Sequence, residues 1–347
     1  MSAATGTRTQ TGVTLWRLMA ASALALLGAV AASPLNADDG SISISSRLIE
    51  NFKVGSSQKR FGDFEFHGGL ELSSSSSFLG AMSAIRLAED RSRFLGVMDT
   101  GFWYAGRLER DANGRMFGVE DFTVSPILDS LGNGSDEKWM FDAEGMALRR
   151  DEVLVSFERR HRVDVYPADG PGASTPLGSL PVLIPTAEFR SNRGLEMIAV
   201  APAASQLSGA VVAVSERSLN ESGDVYAAIL TGPSKGVFFV KRDPPFDITD
   251  GDFLPNGDLL LLERRYSIAQ GVGMRIRRID GSRLGPGNLV DGETILEADY
   301  GYQIDNMEGL DVTTDEDGQI FITLVSDDNH SILQRNLILE FRYLGDQ

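Results

Sequence analysis

The chain has 347 residues, a formal net charge of −17 at pH 7 and no cysteine. Its hydrophobic content of 42% is enough to bury one large core or two ordinary ones. A surface this acidic repels nucleic acid and anionic membranes, so we expect neither as a partner, and it attracts cations. Disulfides are excluded, and stability must therefore come from the core or from the core together with bound metal.

The N-terminal segment has the layout of a secretory signal peptide. Arg8 and Arg17 give it a positive start, and residues 18–32 form an apolar run rich in Ala and Leu. That run is too short for a comfortable membrane span. We therefore predict a signal peptide at residues 1–37 and a mature chain at 38–347 that is periplasmic or secreted, with no stable membrane span. The alternative is an uncleaved N-terminal anchor.

The rest of the chain is dominated by short β-type runs separated by turn clusters such as Pro255-Asn256-Gly257. This alternation is typical of an all-β fold. No domain linker is visible, so a single domain is expected. The runs that we predict as strands are 41–45, 93–98, 152–157, 209–214, 236–241, 258–262, 275–279, 319–324 and 337–343.

Two short elements recur along the chain. One is a glycine turn flanked by acidic and apolar residues, at 67–71, 142–146, 192–196, 249–253 and 306–310. The other is an apolar strand that ends in an acid, at 98–100, 157–159, 215–217, 262–264 and 326–329. Successive units begin roughly 50 to 80 residues apart, which suits propeller blades with inserted loops.

A β-propeller accounts for this repeat. Each blade is a four-stranded sheet whose innermost strand lines a central channel. Acids at the start of the first strand and at the end of the second therefore meet at one mouth of that channel. At roughly 50 residues per blade the chain predicts six blades. Pairing of an N-terminal strand around 41–54 with the last blade near 337–343 would close the ring and remove exposed edges.

The carboxylates of the repeat are candidate ligands for Ca²⁺, which takes six to eight oxygen atoms. The predicted metal ligands are Glu71, Asp99, Glu144, Glu196, Glu263, Glu308 and Asp327. Equivalent positions hold Glu158 and Glu216, and amide oxygens come from Asn192, Asn306 and Asn329. Crowded carboxylates need a cation or an arginine to neutralise them. The alternative to metal is thus a ring of ion pairs made by Arg159, Arg193, Arg217 and Arg264.

The order of the motifs GVMDTG, DAEGMAL, SFERRHRVDVY, NRGLEMIAV, DGDFLPNGDLLLLERR and NMEGLDV resembles the phytase-like domain family, described as having esterase-like activity of phytase. The resemblance covers the chain from about Phe61 to its end. It implies a β-propeller similar to that of alkaline phytases, which bind several Ca²⁺ ions at an acidic channel mouth and hydrolyse phosphomonoesters there.

On this interpretation the chain is a phosphoester hydrolase or a similar esterase that acts on a small molecule, as a monomer. Arg159 or Arg264 would hold phosphate oxygens, and a carboxylate such as Glu144 or Glu158 would orient the attacking water. His161 is the candidate acid–base group. His67 and His330 also lie beside repeat elements and share that candidacy.

Two rival functions stay open. A Ca²⁺-dependent lactonase would use one metal and an apolar pocket, and Glu144-Gly145 and Glu308-Gly309 suit that class too. A binding platform without activity would have its acids paired with arginine. The GPSKG stretch at 232–236 has the spacing of a nucleophile elbow but lies between two strand-like runs, which predicts a hairpin turn.

Overall fold

A computed structural model of the chain describes residues 40–134, 140–189, 194–267 and 271–345. The predicted signal peptide at 1–37 lies outside these residues, as do Asn192 and Arg193. Residues from Asp39 onward form one compact unit. No helix among the described residues has the length and apolar character needed to cross a membrane.

Nearly all regular structure is β-strand. The first three strands are β1 (Ser45–Ile49), β2 (Arg60–Phe61) and β3 (Phe64–Ser73). Blade one contains β4 (Met82–Leu87), β5 (Arg93–Met98), β6 (Phe102–Arg110) and β7 (Met116–Pro126). Blade two contains β8 (Ala143–Arg149), β9 (Glu152–Phe157), β10 (Arg162–Pro167) and β11 (Gly178–Leu180).

Three further blades follow. Blade three contains β12 (Leu195–Val200), β13 (Val211–Leu219), β14 (Val225–Ile229), β15 (Gly236–Val240) and, in parallel with β15, β19 (Leu289–Val290). Blade four contains β16 (Asp247–Phe253), β17 (Leu259–Ser267), β18 (Gly271–Ile279) and β20 (Glu293–Asp299). Blade five contains β21 (Asn306–Thr314), β22 (Ile320–Asp327) and β23 (Asn336–Tyr343), followed by β3 and β1. Single-turn 3-10 helices lie at Pro171–Ala173, Thr186–Glu188 and Gly281–Arg283.

The innermost strands of the five blades form a closed ring in the order β4, β8, β12, β16, β21 and back to β4. The all-β propeller in a single domain is thus confirmed, but the described residues form five blades and the predicted number of six is wrong. The glycine element at 67–71 was taken as the start of a blade. It lies in β3, which is the fourth strand of blade five.

Blade five closes the ring with strands from both ends of the chain. β3 pairs antiparallel with β23, from Leu72 opposite Asn336 to Phe64 opposite Tyr343. An N-terminal strand does close the last blade, but the predicted strand around 41–54 is the wrong one, because β3 at 64–73 pairs with 337–343. The predicted segment 41–54 contains β1, which pairs with the outer side of β3 and has no contact with β23 in the sheet order.

Apolar side chains fill the spaces between neighbouring blades. Phe52, Phe64 and Phe341, for example, are fully buried between blades four and five, and the rings of Phe52 and Phe341 meet edge to face. Trp103 and Tyr104 of β6 are also buried, so this aromatic pair packs in the core. The GPSKG stretch is the turn of the β14–β15 hairpin, as the flanking strands predict.

The hub of the propeller is closed by one arginine. Arg86 in β4 donates hydrogen bonds to the carbonyl oxygens of Ile85 (2.6 Å), Leu310 (2.8 Å) and Ile198 (3.3 Å), and to Asp250 Oδ2 (3.1 Å). Its partners lie on β4, β21, β12 and β16, so four of the five innermost strands are joined through one side chain.

Candidate functional site

Acidic side chains surround a cavity of about 220 Å³ where the innermost strands begin. We call this cavity the acidic mouth. It is lined by Ser83, Asp99, Asp142, Glu144, Glu158, Arg159, Glu196, Glu216, Arg264, Glu308, Asp327 and Asn329. Eight carboxylates and two guanidinium groups thus converge on one small space. The predicted meeting of first-strand and second-strand acids at one end of the channel is what the structure shows.

A β-bulge in each innermost strand explains part of this convergence. The pairing of first and second strands shifts at the same place in all five blades, at Ser83, Glu144, Glu196, Thr249 and Glu308. A bulge leaves its extra residue outside the ladder and re-aims the side chain. Four of the five bulge residues line the acidic mouth, and Thr249 instead donates a hydrogen bond to the carbonyl oxygen of Met307 (3.1 Å).

The glycine that follows Glu144 is required by close packing between blades. A Cβ atom on Gly145 would lie 2.4 Å from the carbonyl oxygen of Glu196 and 2.7 Å from Ser156 Oγ. Ser156 accepts a hydrogen bond from the Gly145 N–H (2.9 Å) and donates one to the carbonyl oxygen of Leu195 (3.1 Å). The recurring Glu-Gly pair therefore places an acid at the channel and lets the next blade approach.

The second strands supply the remaining acids. Asp99 and Glu158 follow directly after β5 and β9, Asp327 is the last residue of β22, and Glu216 lies within β13. The carboxylate of Glu158 accepts a hydrogen bond from the Gly194 N–H of the next blade (3.1 Å). This contact fixes Glu158 between blades two and three.

Two groups of carboxylates are close enough to hold a metal ion. In each group the oxygens lie within 4.8 Å of one another: Asp142, Glu144 and Glu158 form the first, and Glu158, Glu196 and Glu216 form the second. Glu158 belongs to both groups. The ligand atoms are all carboxylate oxygens, the donors that hard cations such as Ca²⁺ prefer.

Two arginines neutralise part of this charge. Arg159 Nε donates to Asp142 Oδ2 (2.7 Å). Arg264 Nη1 donates to Asn306 Oδ1 (2.6 Å) and lies 3.4 Å from Glu308 Oε1, and Arg264 Nη2 is 4.0 Å from Glu216 Oε1. Among the described residues that line the acidic mouth, carboxylates therefore outnumber guanidinium groups by six; Arg193 of the predicted ring of ion pairs lies outside the described residues.

The surplus negative charge appears in the pKa values of the acids. Burial first, together with neighbouring acids, raises the pKa of Glu158 and of Glu308 to about 7 and that of Asp327 to about 6. Burial first, and then neighbouring carboxylates, hold the pKa of Glu144 and Glu196 well above the ordinary value for glutamate. A bound cation would reverse these shifts.

Residues 77–330 match the model of the phytase-like family, whose description is esterase-like activity of phytase. The chain belongs to this family. No curated protein matches it. Among solved structures, an endo-arabinase from Bacteroides thetaiotaomicron is similar, with a TM-score of 0.47 and 12% identity, over 78% of this chain and 95% of that one. So weak a similarity says nothing about activity.

Eight of the predicted site residues come together in this phytase-like propeller. They are Asp99, Glu144, Glu158, Arg159, Glu196, Arg264, Glu308 and Asp327, and each lines the acidic mouth. The structure thus brings together residues from all five blades, since blade four contributes Arg264. The roles predicted for these side chains remain proposals.

Three predicted site residues lie elsewhere. Glu71 is in β3, on the outer side of blade five, where it forms ion pairs with Arg47 and, at 3.6 Å, with Arg335. Glu263 points away from the acidic mouth and is buried between Arg275 (2.5 Å) and Arg277 (2.8 Å). It immediately precedes Arg264, and alternation along β17 places the two side chains on opposite faces.

His161 is close to the acidic mouth but does not line it. Its ring stacks on Phe189 with centroids 4.0 Å apart, and burial lowers its pKa. Among the residues that line the acidic mouth there is no histidine. His67 contacts Phe321, and His330 lies beside Gly80.

The sequence analysis did not select Asp142 or Ser83 as site residues. Asp142 begins the DAEG motif, two positions before Glu144. The two acids at this spacing were a signal in the sequence that could have identified Asp142. Ser83 occupies the bulge position of blade one. It is not an acid and no glycine comes after it, so the repeated motif does not mark this position. Only the equivalence of the five bulges reveals it.

Proposed function

We propose that this phytase-like propeller is a metal-dependent hydrolase of phosphate esters and that Ca²⁺ is its resident ion. The observation that carries the proposal is the pair of three-carboxylate groups that share Glu158. These residues fit calcium because all their donors are oxygens and because the local charge is strongly negative. Asp99, Glu308, Asp327 and Asn329 also line the cavity and can complete the coordination together with water.

A phosphate substrate needs bound cations at the acidic mouth because the substrate and the lining carboxylates are both negatively charged. A phosphate ester is an anion, and eight carboxylates would repel it from the acidic mouth. Bound calcium would supply positive charge for phosphate oxygens and lower the pKa of a bound water. Side chains of the protein must then bind the substrate and orient it.

Arg159 and Arg264 are the groups that we assign to phosphate binding. Arg159 is bound through Nε to Asp142, while 40% of its side chain is exposed, so its guanidinium is accessible to a ligand. Arg264 is less exposed and is held by Asn306 and Glu308. A planar guanidinium matches two phosphate oxygens at once. Small-molecule esters are the substrates expected, and export through the predicted signal peptide is part of this proposal.

The first experiment measures bound metal and thermal stability. Elemental analysis of the purified protein should find calcium, and the midpoint of thermal unfolding should fall with EGTA and recover with Ca²⁺. A ligand present at about 100 times its dissociation constant stabilises the folded state by about 2.7 kcal/mol. Glu158→Gln should abolish most of the calcium effect. Glu71→Gln is the matched control and should leave it unchanged, because Glu71 lies outside the acidic mouth.

Turnover then separates the candidate functions. The calcium-loaded protein should hydrolyse a phosphate monoester such as p-nitrophenyl phosphate or inositol hexakisphosphate faster than p-nitrophenyl acetate or a γ-lactone. Faster hydrolysis of the lactone with a single bound calcium would favour a lactonase. Absence of both calcium and turnover would contradict the proposal and favour a binding platform. Fractionation of the producing cells and N-terminal sequencing of the protein would test export.

A further inference from the structure

A second and larger cavity lies at the opposite end of the channel. We call it the lower cavity; it has a volume of about 630 Å³ and is lined in part by Arg86, Leu148, Val200, Phe253, Asp311 and Thr313. On β4, β8, β12 and β21 the acidic mouth is lined by residues near the strand start and the lower cavity by residues near its end. The two cavities are therefore distinct.

The lower cavity carries unbalanced negative charge. Arg86 is the one basic side chain among the described residues that line it, and it is already bound to Asp250 and to four carbonyl oxygens. Asp311 is buried, accepts the N–H of Leu87 at Oδ2 (3.1 Å), and its Oδ1 lies 3.9 Å from Arg86 Nε. The acidic side chains in the lining are Glu89, Asp90, Asp252, Asp311, Asp315 and Glu316.

The pKa of Asp311 reflects its buried and acidic surroundings. Burial first, together with nearby Asp252, raises the pKa of Asp311 to about 8 against the lowering effect of Arg86. Asp252 is shifted in the same direction by burial. Both carboxylates accept backbone hydrogen bonds, Asp252 Oδ2 from Val312 (3.1 Å), so their positions are fixed. A cation placed between them would find a prepared site.

An independent observation comes from Thr313. This residue is 8% exposed and lines the lower cavity, and its Oγ1 has no hydrogen-bond partner among the described residues. A buried hydroxyl without a partner is costly, so native structures rarely leave one unsatisfied. The hydroxyl of Thr313 is therefore a polar group beside the lower cavity that the described residues leave without a partner.

The remaining walls are apolar. Phe253, Val200 and Leu148 stand at the ends of β16, β12 and β8 beside the acidic groups. The cavity volume lies in the range of small-molecule sites, which combine apolar walls with a few fixed polar groups. Both metal-binding groups found among the described residues are at the acidic mouth, so a chelated metal ion is disfavoured here.

We infer that the lower cavity binds a small organic cation, with its protonated amine at Asp311 and Asp252 and its apolar body against Phe253, Val200 and Leu148. This site goes beyond the proposed hydrolase function, because it lies at the other end of the channel and shares no lining residue with the acidic mouth. A buried charge pair of this kind makes the ammonium group decisive for binding.

The probe for this site is 4-fluorobenzylamine, observed by ¹⁹F NMR at pH 8 in calcium-saturated protein, with 4-fluorobenzyl alcohol as its uncharged counterpart. The amine should bind at least about tenfold more tightly than the alcohol. Asp311→Asn should weaken amine binding by a similar factor, while its amide oxygen still accepts the Leu87 N–H. Equal binding of amine and alcohol, or of wild type and Asp311→Asn, would overturn the inference, as would failure of the amine to bind.

Three further variants separate binding at the lower cavity from effects on folding and from binding at the acidic mouth. Glu316→Lys changes an exposed turn residue at the lower cavity and should weaken amine binding, whereas Glu297→Lys, the same change at an exposed position outside the lining, should not. Glu196→Gln in the acidic mouth should also leave amine binding unchanged. Loss of binding in Glu196→Gln but not in Glu316→Lys would place the amine at the acidic mouth and refute the lower site.

Discussion

Replacement of Glu158 by glutamine should change the free energy of unfolding differently with and without metal. Glu158 shares carboxylate contacts within 4.8 Å with Asp142 and Glu144 on one side and with Glu196 and Glu216 on the other. At that separation and an effective dielectric constant of about 20, two ionised carboxylates repel by about 3.5 kcal/mol. Proton uptake and the arginines relieve most of this repulsion. Metal-free Glu158→Gln should therefore be more stable than wild type by about 1–3 kcal/mol at pH 8.

Calcium should shift the difference by about 2.3 kcal/mol in favour of the wild type, which reverses the order wherever the metal-free advantage of Glu158→Gln is smaller than that. Wild-type protein at 100 times its dissociation constant gains about 2.7 kcal/mol, whereas a variant that binds about 100-fold more weakly gains only about 0.4 kcal/mol. Urea unfolding in EGTA and in excess Ca²⁺ measures both free energies. If Glu158→Gln is less stable than wild type in EGTA, the acids of the acidic mouth do not repel one another and the reasoning fails.

Glu263→Gln is the matched control for this experiment. Glu263 occupies the equivalent repeat position of blade four but is buried against Arg275 and Arg277. Removing one partner of a buried ion pair costs about 3–5 kcal/mol. Glu263→Gln should therefore lose stability equally in EGTA and in Ca²⁺, in contrast to Glu158→Gln.

Three more predictions concern the hub and the arginines. Arg86→Met should lower the free energy of unfolding by about 3–5 kcal/mol in urea, because it leaves Asp250 buried without its partner; a loss below about 1 kcal/mol would contradict the role of Arg86 in joining the blades. Arg264→Met should lower kcat/KM for a phosphate monoester by about 10²–10³ while the calcium content is retained, and an unchanged rate would remove Arg264 from phosphate binding. Because the pKa of Asp311 is raised to about 8, the folded state holds a proton that the unfolded chain has lost, so stability should fall as the pH rises from about 4 to 8. Urea unfolding at pH 5 and pH 8 should show a smaller fall in Asp311→Asn, and an equal fall would exclude Asp311 as its source.

Much of the fold could be read from local sequence patterns. Short strands, regular turns and the acid that ends each second strand together indicate a propeller, and that acid element occurs once in each of the five blades. The number of blades could not be read as safely. The element at 67–71 has the glycine and the acid of a first strand, but β3 joins the last blade because of ring closure, which involves residues at the far end of the chain.

The candidate site was predictable where side-chain direction follows the repeat. Glu144, Glu196 and Glu308 all lie at the bulge of their first strand, so the same position in the repeat gives the same direction; glycine follows Glu144 and Glu308, whereas Met197 follows Glu196. Glu263 shows the limit, because it and Arg264 are adjacent in sequence and only the register of β17 decides which of them faces the channel. No pattern in the sequence predicted the contacts of Arg86 at the hub. Arg86 binds residues that are distant along the chain, and no local motif reports such contacts.

The pairing of β3 with β23 has a consequence for how the protein folds. Blade five needs Leu72 and Asn336 in the same sheet, so its hydrogen bonds cannot form until nearly the whole chain has been synthesised. Contacts this distant in sequence make folding slow. Until then the edge of β3 is open to pairing with other chains.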